Sequence, residues 1–108
     1  MELVIQQFSV HLVRLDPTVG SEIKKTRPCV VVSPDDLNRH LLTALVAPLT
    51  ATTKGYVSRV ASNFGGKPGA VALDQVRCVD HQRFIRRLGT LDAATADEML
   101  EVLRQMFS

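Results

Sequence analysis

The chain has 108 residues, of which 45% are hydrophobic and 22% are charged, and its formal net charge is +2. These values are typical of one globular domain and exclude a disordered or fibrous chain. No apolar run approaches the ~20 residues of a membrane-spanning helix, and residues 1–10 lack the pattern of a secretory signal. We therefore expect a single domain over residues 1–108, located in the cytoplasm, whose mildly positive charge permits a polyanionic partner.

Runs of β-branched residues and alternation of apolar with polar residues predict six strands, over residues 8–15, 29–32, 42–48, 56–62, 70–79 and 83–91. Asp16-Pro17-Thr18 is typical of a turn, and the glycines and proline of residues 63–69 predict a loop. The strand over 70–79 is expected to break near Asp74 and Gln75. Between the second and third strands, Ser33 as N-cap and Pro34 at the first helical position predict a short helix over 34–40.

The C-terminal segment carries the clearest helical pattern. Asp92 is expected to cap a helix whose apolar face holds Met99, Leu100, Leu103 and Phe107. Many short strands and one such helix predict a mainly β chain of the α+β class. The expected architecture is a small, half-open antiparallel β-barrel with helical additions.

The titratable residues exclude several common sites. Cys29 and Cys78 lie in apolar runs and lack the spacing of a disulfide framework or zinc site, so we expect two buried free thiols. The three histidines, His11, His40 and His81, are scattered, and alternation leaves open whether His11 points inward or outward. Neither a phosphate-binding glycine loop nor an H-E-x-x-H zinc motif is present.

Polar residues at strand ends remain as candidates, because loops on a rigid barrel usually carry function. Glu22 and Arg27 lie five positions apart in a basic loop, and Thr50 follows a strand. A guanidinium suits a phosphate, and a carboxylate can accept a proton. On these residues alone, a surface ion pair and a turn threonine are the ordinary alternative.

The order and spacing of several segments favour a functional site over this ordinary alternative. Over about residues 8–107 the chain resembles the MazF/PemK-type toxins of bacterial toxin–antitoxin systems. The resemblance rests on Asp16–Thr18, Gly20–Glu22, Arg27–Pro28, Val30–Pro34, Asn38, Val46–Thr50, Lys54–Tyr56, Gly69–Arg77 and Leu88–Leu91, followed by the terminal helix.

This resemblance implies an SH3-like barrel that forms a homodimer and binds a cognate antitoxin through a disordered segment covering the RNA groove. It implies an endoribonuclease that cuts single-stranded RNA without a metal or other cofactor. Arg27 matches the catalytic arginine and Thr50 the catalytic threonine, while Glu22 is either a base or an orienter of Arg27. The implied RNA contacts are Ser21, Lys24, Lys25, Lys54, Tyr56, Asp74, Gln75 and Arg77.

The chain departs from the family pattern in several places. Phe8, Ser9 and Leu12 replace a Gly-Asp/Glu pair and a tryptophan in the first strand, and Lys25 replaces a loop glycine. A histidine found in some relatives at the Ser21 position is missing, and so is an arginine found in some at the Ala72 position. An acid–base scheme built on that histidine does not carry over.

Two rivals from other classes stay open. A CcdB-type toxin resembles this fold and acts by binding gyrase, without catalysis, through C-terminal residues comparable to Met106 and Phe107. A catalytically inactive barrel that serves as an interaction or autoregulatory module is the other rival. Neither needs the pair of Arg27 and Thr50.

Overall fold

A computed structural model describes residues 4–52 and 55–108 of the chain. The described residues form seven strands and two helices: β1 Ser9–Arg14, β2 Thr26–Val31, α1 Asp35–His40, β3 Thr43–Thr50, β4 Arg59–Phe64, β5 Lys67–Ala72, β6 Arg77–Asp80, β7 Phe84–Thr90 and α2 Ala93–Met106. Two 3-10 turns, Leu73–Gln75 and His81–Arg83, flank β6.

All strand pairs are antiparallel, in the order β4-β5-β3-β2-β1-β7, and β6 pairs separately with β3. The long strand β3 serves two neighbours, since Leu49–Thr50 pair with β5 and Thr43–Val46 pair with β6. The sheet curls without closing. Its two ends still approach each other, because a Cβ built on Gly89 of β7 would lie 3.1 Å from Cζ of Phe64 in β4. The expected half-open antiparallel barrel is confirmed.

The sheet is buried on both faces, and each face has its own apolar cluster. Successive residues of a strand point to opposite faces. Val30 therefore joins the first cluster, which Met99 of α2 covers, while Cys29 and Val31 join the second, which Phe84 covers. The central strands consequently have little exposed surface, and polar side chains collect at their ends.

Helix α2 follows the sequence expectation at its start. The Asp92 side chain accepts a hydrogen bond from the Thr95 backbone N–H at 3.0 Å, as an N-cap should. Met99 is fully buried, whereas Phe107, expected on the apolar face, lies past the helix and is 77% exposed. Neither helix in the described part of the chain is long and apolar enough to cross a membrane.

Several expected boundaries were wrong. Residues 63–69 are not a loop: β4 and β5 run into them and are joined by Gly65-Gly66, both at positive φ (61° and 77°), as a two-residue hairpin requires. Strand β3 continues beyond Pro48 to Thr50. The expected break near Asp74 is confirmed, since the 3-10 turn Leu73–Gln75 separates β5 from β6.

Two side-chain expectations also fail. Pro34, not Ser33, is the N-cap of α1; the Ser33 hydroxyl instead donates to Oδ1 of Asn38 at 2.5 Å and accepts the Leu45 N–H at 3.0 Å. This buried network ties α1 to β3. Cys29 is buried as expected, but Cys78 is exposed, because β6 is covered on one face only.

Candidate functional site

Arg27 and Thr50 lie at the same end of two paired strands. The register of β2 and β3 sets Cys29 opposite Pro48 and Val30 opposite Ala47. Arg27 precedes Cys29 by two residues and Thr50 follows Pro48 by two, so both lie just beyond the paired segment, at the same end of the two strands. Both line a pocket of about 530 Å³, here the Arg27 pocket, whose other walls are Pro28, Leu49, Ala51, Ser62, Phe64, Gly65, Lys67, Pro68, Gly69 and Leu88.

The half-buried Arg27 side chain is anchored at one nitrogen. Its Nε–H donates to the backbone oxygen of Lys24 at 3.1 Å. Its two terminal nitrogens have no hydrogen-bond acceptor among residues 4–52 and 55–108, so the guanidinium fork is available to an anion. The geometry suits a phosphate bound in the pocket.

Thr50 presents a hydroxyl that can donate. Its Oγ1 accepts the backbone N–H of Thr52 at 3.1 Å, which fixes the oxygen and leaves the hydroxyl proton free to point at a ligand. Thr50 is half-buried at the end of β3. One donor from each strand therefore borders the same pocket.

A second pocket of about 240 Å³, here the Glu22 pocket, lies between the β1–β2 loop and the Leu73–Gln75 turn. Its walls are Leu15, Glu22, Ile23, Pro48, Asp74, Gln75, Val76 and Arg77. Arg77 donates from Nη1 to the backbone oxygen of Leu15 at 3.2 Å, and the Ile23 N–H donates to Oε1 of Gln75 at 3.2 Å. Four of the residues expected at an RNA site thus meet here: Glu22, Asp74, Gln75 and Arg77.

One arginine from each pocket lies near the buried thiol of Cys29. Burial raises the pKa of its thiol to about 12, while the nearby positive charges of Arg77 and Arg27 act in the opposite direction. Both guanidinium groups therefore lie within electrostatic range of the same buried sulfur. The strand position facing Cys29 is Pro48, which lines the Glu22 pocket.

Glu22 does not lie against Arg27. Its Oε1 accepts the backbone N–H of Val19 at 2.5 Å, and the three ion pairs in the described part of the chain include no contact between Glu22 and Arg27. The ordinary alternative of a surface ion pair is thus not observed. Nor does this geometry show Glu22 orienting Arg27.

Asp74 is held by a residue that the sequence analysis missed. Arg59 donates from Nε to Oδ1 of Asp74 at 2.6 Å and from Nη2 to Oδ2 at 3.0 Å. These hydrogen bonds hold the pKa of the Asp74 carboxyl below its usual range. The Arg59 guanidinium also lies 5.6 Å from the ring centre of Tyr56. Asp74 and Arg59 are 15 positions apart, so no local pattern links them.

The remaining candidates that the structure describes line neither of the two pockets. Ser21, Lys24 and Lys25 are exposed in the β1–β2 loop, and Tyr56 is 57% exposed. Lys54 lies outside the described residues. The structure therefore groups Arg27 with Thr50, and Glu22 with Asp74, Gln75 and Arg77. Ser21, Lys24, Lys25 and Tyr56 lie outside both pockets.

Comparison with known proteins decides the family. Residues 6–107 match the family described as PemK-like, MazF-like toxin of type II toxin-antitoxin system. The chain belongs to this toxin family. Endoribonuclease EndoA of Bacillus subtilis is 31% identical, covering 94% of this chain and 93% of that protein. Endoribonuclease toxin MazF of Escherichia coli is 33% identical, covering 85% and 80%.

Solved structures of MazF toxins have the same fold as this chain. MazF from Deinococcus radiodurans superposes with a TM-score of 0.87 at 25% identity and covers 98% of both chains. A MazE-MazF complex from the same organism matches with a TM-score of 0.81 at 25% identity, covering 98% of this chain and 97% of that one. The barrel and its terminal helix are thus those of a MazF-like toxin.

Two departures of this chain from the toxin pattern coincide with unusual backbone. Phe8 and Lys25, the two positions where the resemblance described above implies a glycine, have φ of 71° and 70°. These are the only non-glycine residues with positive φ in the described ranges. The left-handed conformation is kept although the glycine is lost, which costs L-residues free energy.

Proposed function

We propose that this chain is the toxin of a toxin–antitoxin system and acts in the cytoplasm as a metal-independent endoribonuclease that cuts single-stranded RNA, including mRNA, at a short sequence. The observation that carries the proposal is that Arg27, near the start of β2, and Thr50, at the end of β3, line one pocket. The relatives named as endoribonucleases supply the reaction class.

The proposed reaction is an internal transesterification. The 2′-oxygen of the RNA attacks the adjacent phosphorus, the new O2′–P bond forms, and the P–O5′ bond breaks. The 2′-hydroxyl proton leaves to a base, and the departing 5′-oxygen gains a proton. The products are a 2′,3′-cyclic phosphate and a 5′-hydroxyl. Because the nucleophile belongs to the substrate, the step needs no metal-activated water.

Arg27 acts as the electrostatic stabiliser. Negative charge builds on the non-bridging oxygens as the phosphorus becomes pentacoordinate, and the free nitrogens of the Arg27 fork can bind them. A donor placed in this way is worth roughly 10²–10³ in rate. Arg27 is assigned no proton transfer, because a guanidinium stays charged in proteins. Thr50 donates its hydroxyl to the scissile phosphate.

Glu22 is the candidate base rather than an orienter of Arg27, because no hydrogen bond or ion pair joins the two residues in the described part of the chain. It is exposed at the rim of the neighbouring pocket, and its carboxylate bonds its own loop. RNA in the Arg27 pocket would have to bring its 2′-hydroxyl toward this loop. Glu22→Gln separates the roles, because a base is lost while the hydrogen-bonding shape is kept.

Unpaired bases of single-stranded RNA can be read by polar side chains in shallow pockets. Ser21, Lys24 and Lys25 supply hydrogen bonds and positive charge in the β1–β2 loop, and Gln75 and Arg77 do so from the Glu22 pocket. Lys54, outside the described residues, is included from the family resemblance. Tyr56 is exposed enough to stack on a base. We propose these residues as the substrate contacts that set the cleavage sequence.

We also propose a cognate antitoxin and a homodimer as partners. The support for the antitoxin is the MazE-MazF complexes among the structural relatives. A disordered antitoxin segment would order on binding and cover the pockets that RNA occupies. Exposed apolar side chains such as Leu42 (80%) and Val57 (82%) leave surface for association.

Incubation of the purified protein with a long single-stranded RNA in EDTA, beside an Arg27→Ala control, tests the proposal. Discrete cuts with 5′-hydroxyl ends, absent in the control, are expected, and their positions give the recognition sequence. Absence of cleavage on several RNAs would favour the gyrase-binding rival or the inactive module. Toxicity that survives Arg27→Ala would favour the gyrase-binding rival, whose C-terminal contact the exposed Phe107 could supply.

A further inference from the structure

We propose that Arg59 is a positioning residue: its ion pair with Asp74 fixes residues 55–59 to the Leu73–Gln75 turn, while Gln75 fixes the β1–β2 loop to the same turn. One short turn therefore sets the distance between the segment that carries Tyr56, a candidate RNA contact, and the loop that carries Glu22, the candidate base. The consequence for RNA rests on the proposed function, whereas the coupling of the segments does not.

The Arg59–Asp74 pair has the geometry of a strong interaction. Two parallel hydrogen bonds of 2.6 Å and 3.0 Å join the guanidinium fork to both carboxylate oxygens. Arg59 is only 13% exposed at its side chain and Asp74 35%. Bidentate, partly shielded pairs lose less to solvent screening than the exposed pairs on a helix surface. The contact can therefore hold a chain segment in place.

Further contacts bind the same segment to the turn. The Ser58 hydroxyl donates to Oδ1 of Asp74 at 3.1 Å, and the Leu73 N–H donates to the Ser58 backbone oxygen at 3.0 Å. The Arg59 N–H donates to the Tyr56 backbone oxygen at 3.0 Å. Tyr56, a candidate base-stacking residue, thus rests on the arginine that Asp74 holds.

The opposite side of the turn holds the β1–β2 loop. The Ile23 N–H donates to Oε1 of Gln75, and the Ile23 side chain packs on the second apolar cluster. Glu22, the candidate base, immediately precedes this anchor. The turn itself is rigid, because Leu73 is fully buried and accepts the Val76 N–H at 3.2 Å.

This arrangement gives Asp74 a different role from the one expected from sequence. Both of its carboxylate oxygens are engaged by Arg59 and one also by Ser58, so direct reading of a base would compete with the pair. Without the pair, RNA would have to order residues 55–59 on binding, and that cost appears in KM. Catalytic groups on β2 and β3 keep their geometry, so kcat is expected to change little.

A double-mutant cycle with Arg59→Ala, Asp74→Asn and both together tests the proposal on a short RNA that contains one mapped cleavage site. Each single variant is expected to raise KM about tenfold, with kcat near the parent value, and the double variant is expected to match the singles. Additive effects, or an altered cleavage sequence in Asp74→Asn with Arg59→Ala unaffected, would overturn the proposal in favour of direct base reading.

Arg39→Ala is the matched control, because it removes an ion pair with Asp36 on exposed α1, where the side chains are 64% and 83% exposed. This variant should keep the parent KM. Arg59→Lys keeps the charge without the fork and should restore only part of the RNA affinity. Thermal melting of each variant shows that the fold is retained.

Amide hydrogen exchange gives a readout that needs no RNA. Faster exchange at the Leu73 amide, which donates to Ser58, is expected in Arg59→Ala, and faster exchange at the Ile23 amide in Gln75→Ala. Unchanged exchange at these amides would overturn the proposed coupling. Faster exchange in a protein that cuts no RNA would support the coupling and refute only the proposed function.

Discussion

A Cβ built on Gly69 of β5 would lie 2.2 Å from the backbone oxygen of Thr50 in β3. No side chain fits at this distance, so glycine is what lets β5 approach the end of β3, where Thr50 pairs with Ala70. The position of the Thr50 hydroxyl in the Arg27 pocket therefore depends on a residue without a side chain.

Gly69→Ala is expected to displace Thr50 and to lower the RNA cleavage rate by roughly 100-fold, since displacements of about 1 Å have effects of that size. The measurement is single-turnover cleavage of a mapped RNA site, with melting curves to show that the variant is folded. Gly55→Ala is the control, because a Cβ there meets nothing within 4 Å. A folded Gly69→Ala variant with the parent rate would show that Thr50 tolerates the shift.

Substitutions at Arg27 and Thr50 separate charge from geometry. Arg27→Ala should lower the cleavage rate by at least about 10²-fold, and Arg27→Lys should recover only part of it, since lysine lacks the planar fork. Thr50→Val, which removes the hydroxyl at similar volume, should be slower than Thr50→Ser, which keeps it. The rates are measured with RNA in excess of KM. Equal rates for Thr50→Val and the parent would remove the hydroxyl from the mechanism.

Local patterns predicted much of this fold but not its long-range contacts. The period of apolar residues identifies α2, and Asp74-Gln75 identifies the break between β5 and β6. The β4–β5 hairpin was missed because its glycines and proline are typical of loops, although only Gly65-Gly66 form the turn. The direction of His11 stayed open because β1 is buried on both faces, so alternation in hydrophobicity is weak.

In the candidate site too, residues could be identified from the sequence but their contacts could not. Arg27 and Thr50 were candidates because they lie near strand ends, and the family resemblance gave them catalytic roles; nothing local in the sequence pairs them, and the fold brings both to one pocket. The Arg59–Asp74 pair could not be predicted, because its partners come together only when β4 pairs with β5. Side-chain contacts across distant strands depend on register, which sequence periodicity alone does not give.

Lys25→Gly is expected to stabilise the protein by up to about 1 kcal/mol, because Lys25 has a φ of 70° and glycine adopts this conformation without strain. The gain is reduced by the greater freedom of glycine in the unfolded chain. Urea unfolding measures it. Lys24→Gly removes the same charge next to it, at a position without positive φ, and should not stabilise. A lower stability of Lys25→Gly than of the parent would contradict the strain.

The two thiols should differ sharply in reactivity. Burial raises the pKa of the Cys29 thiol to about 12, so almost none of it is thiolate at neutral pH, whereas Cys78 is exposed on β6. Native protein should therefore react rapidly at one thiol with an aromatic disulfide reagent, and at both after unfolding in urea. Cys78→Ser should abolish the rapid phase and Cys29→Ser should not. A rapid phase that survives Cys78→Ser would place Cys29 within reach of solvent.

His11 should make stability fall between pH 6.5 and about 4. Its ring is fully buried, with Nε2 2.9 Å from the Ser9 hydroxyl and Nδ1 without a partner in the described residues. The Ser9 hydroxyl donates to the Gln6 backbone oxygen, so it accepts from Nε2–H, and a proton added at Nδ1 would find no acceptor. The edge-on Phe84 ring at 5.1 Å supplies none.

Burial is the larger of two causes that lower the pKa of His11 from 6.5 to about 4, and the positive charge of Arg87 is the smaller one. The unfolded chain therefore binds the proton first as pH falls. The contribution of neutral His11 is complete above pH 6.5 and is lost as pH falls through about 4. The free energy of unfolding should decrease by up to about 3 kcal/mol over this window. The pKa values of Asp74 and Asp92 are lowered from 3.8. The stability that these two carboxylates contribute is therefore lost mainly below the pH window in which His11 acts.

Urea unfolding at several pH values between 7 and 4 measures this loss. His11→Gln, which cannot titrate, should flatten the dependence even if it lowers stability at pH 7. His40→Gln, which replaces an exposed histidine, is the matched control for the substitution itself. If His11→Gln shows the same slope as the parent, the loss of stability in acid has another origin and His11 is not the group that binds the proton.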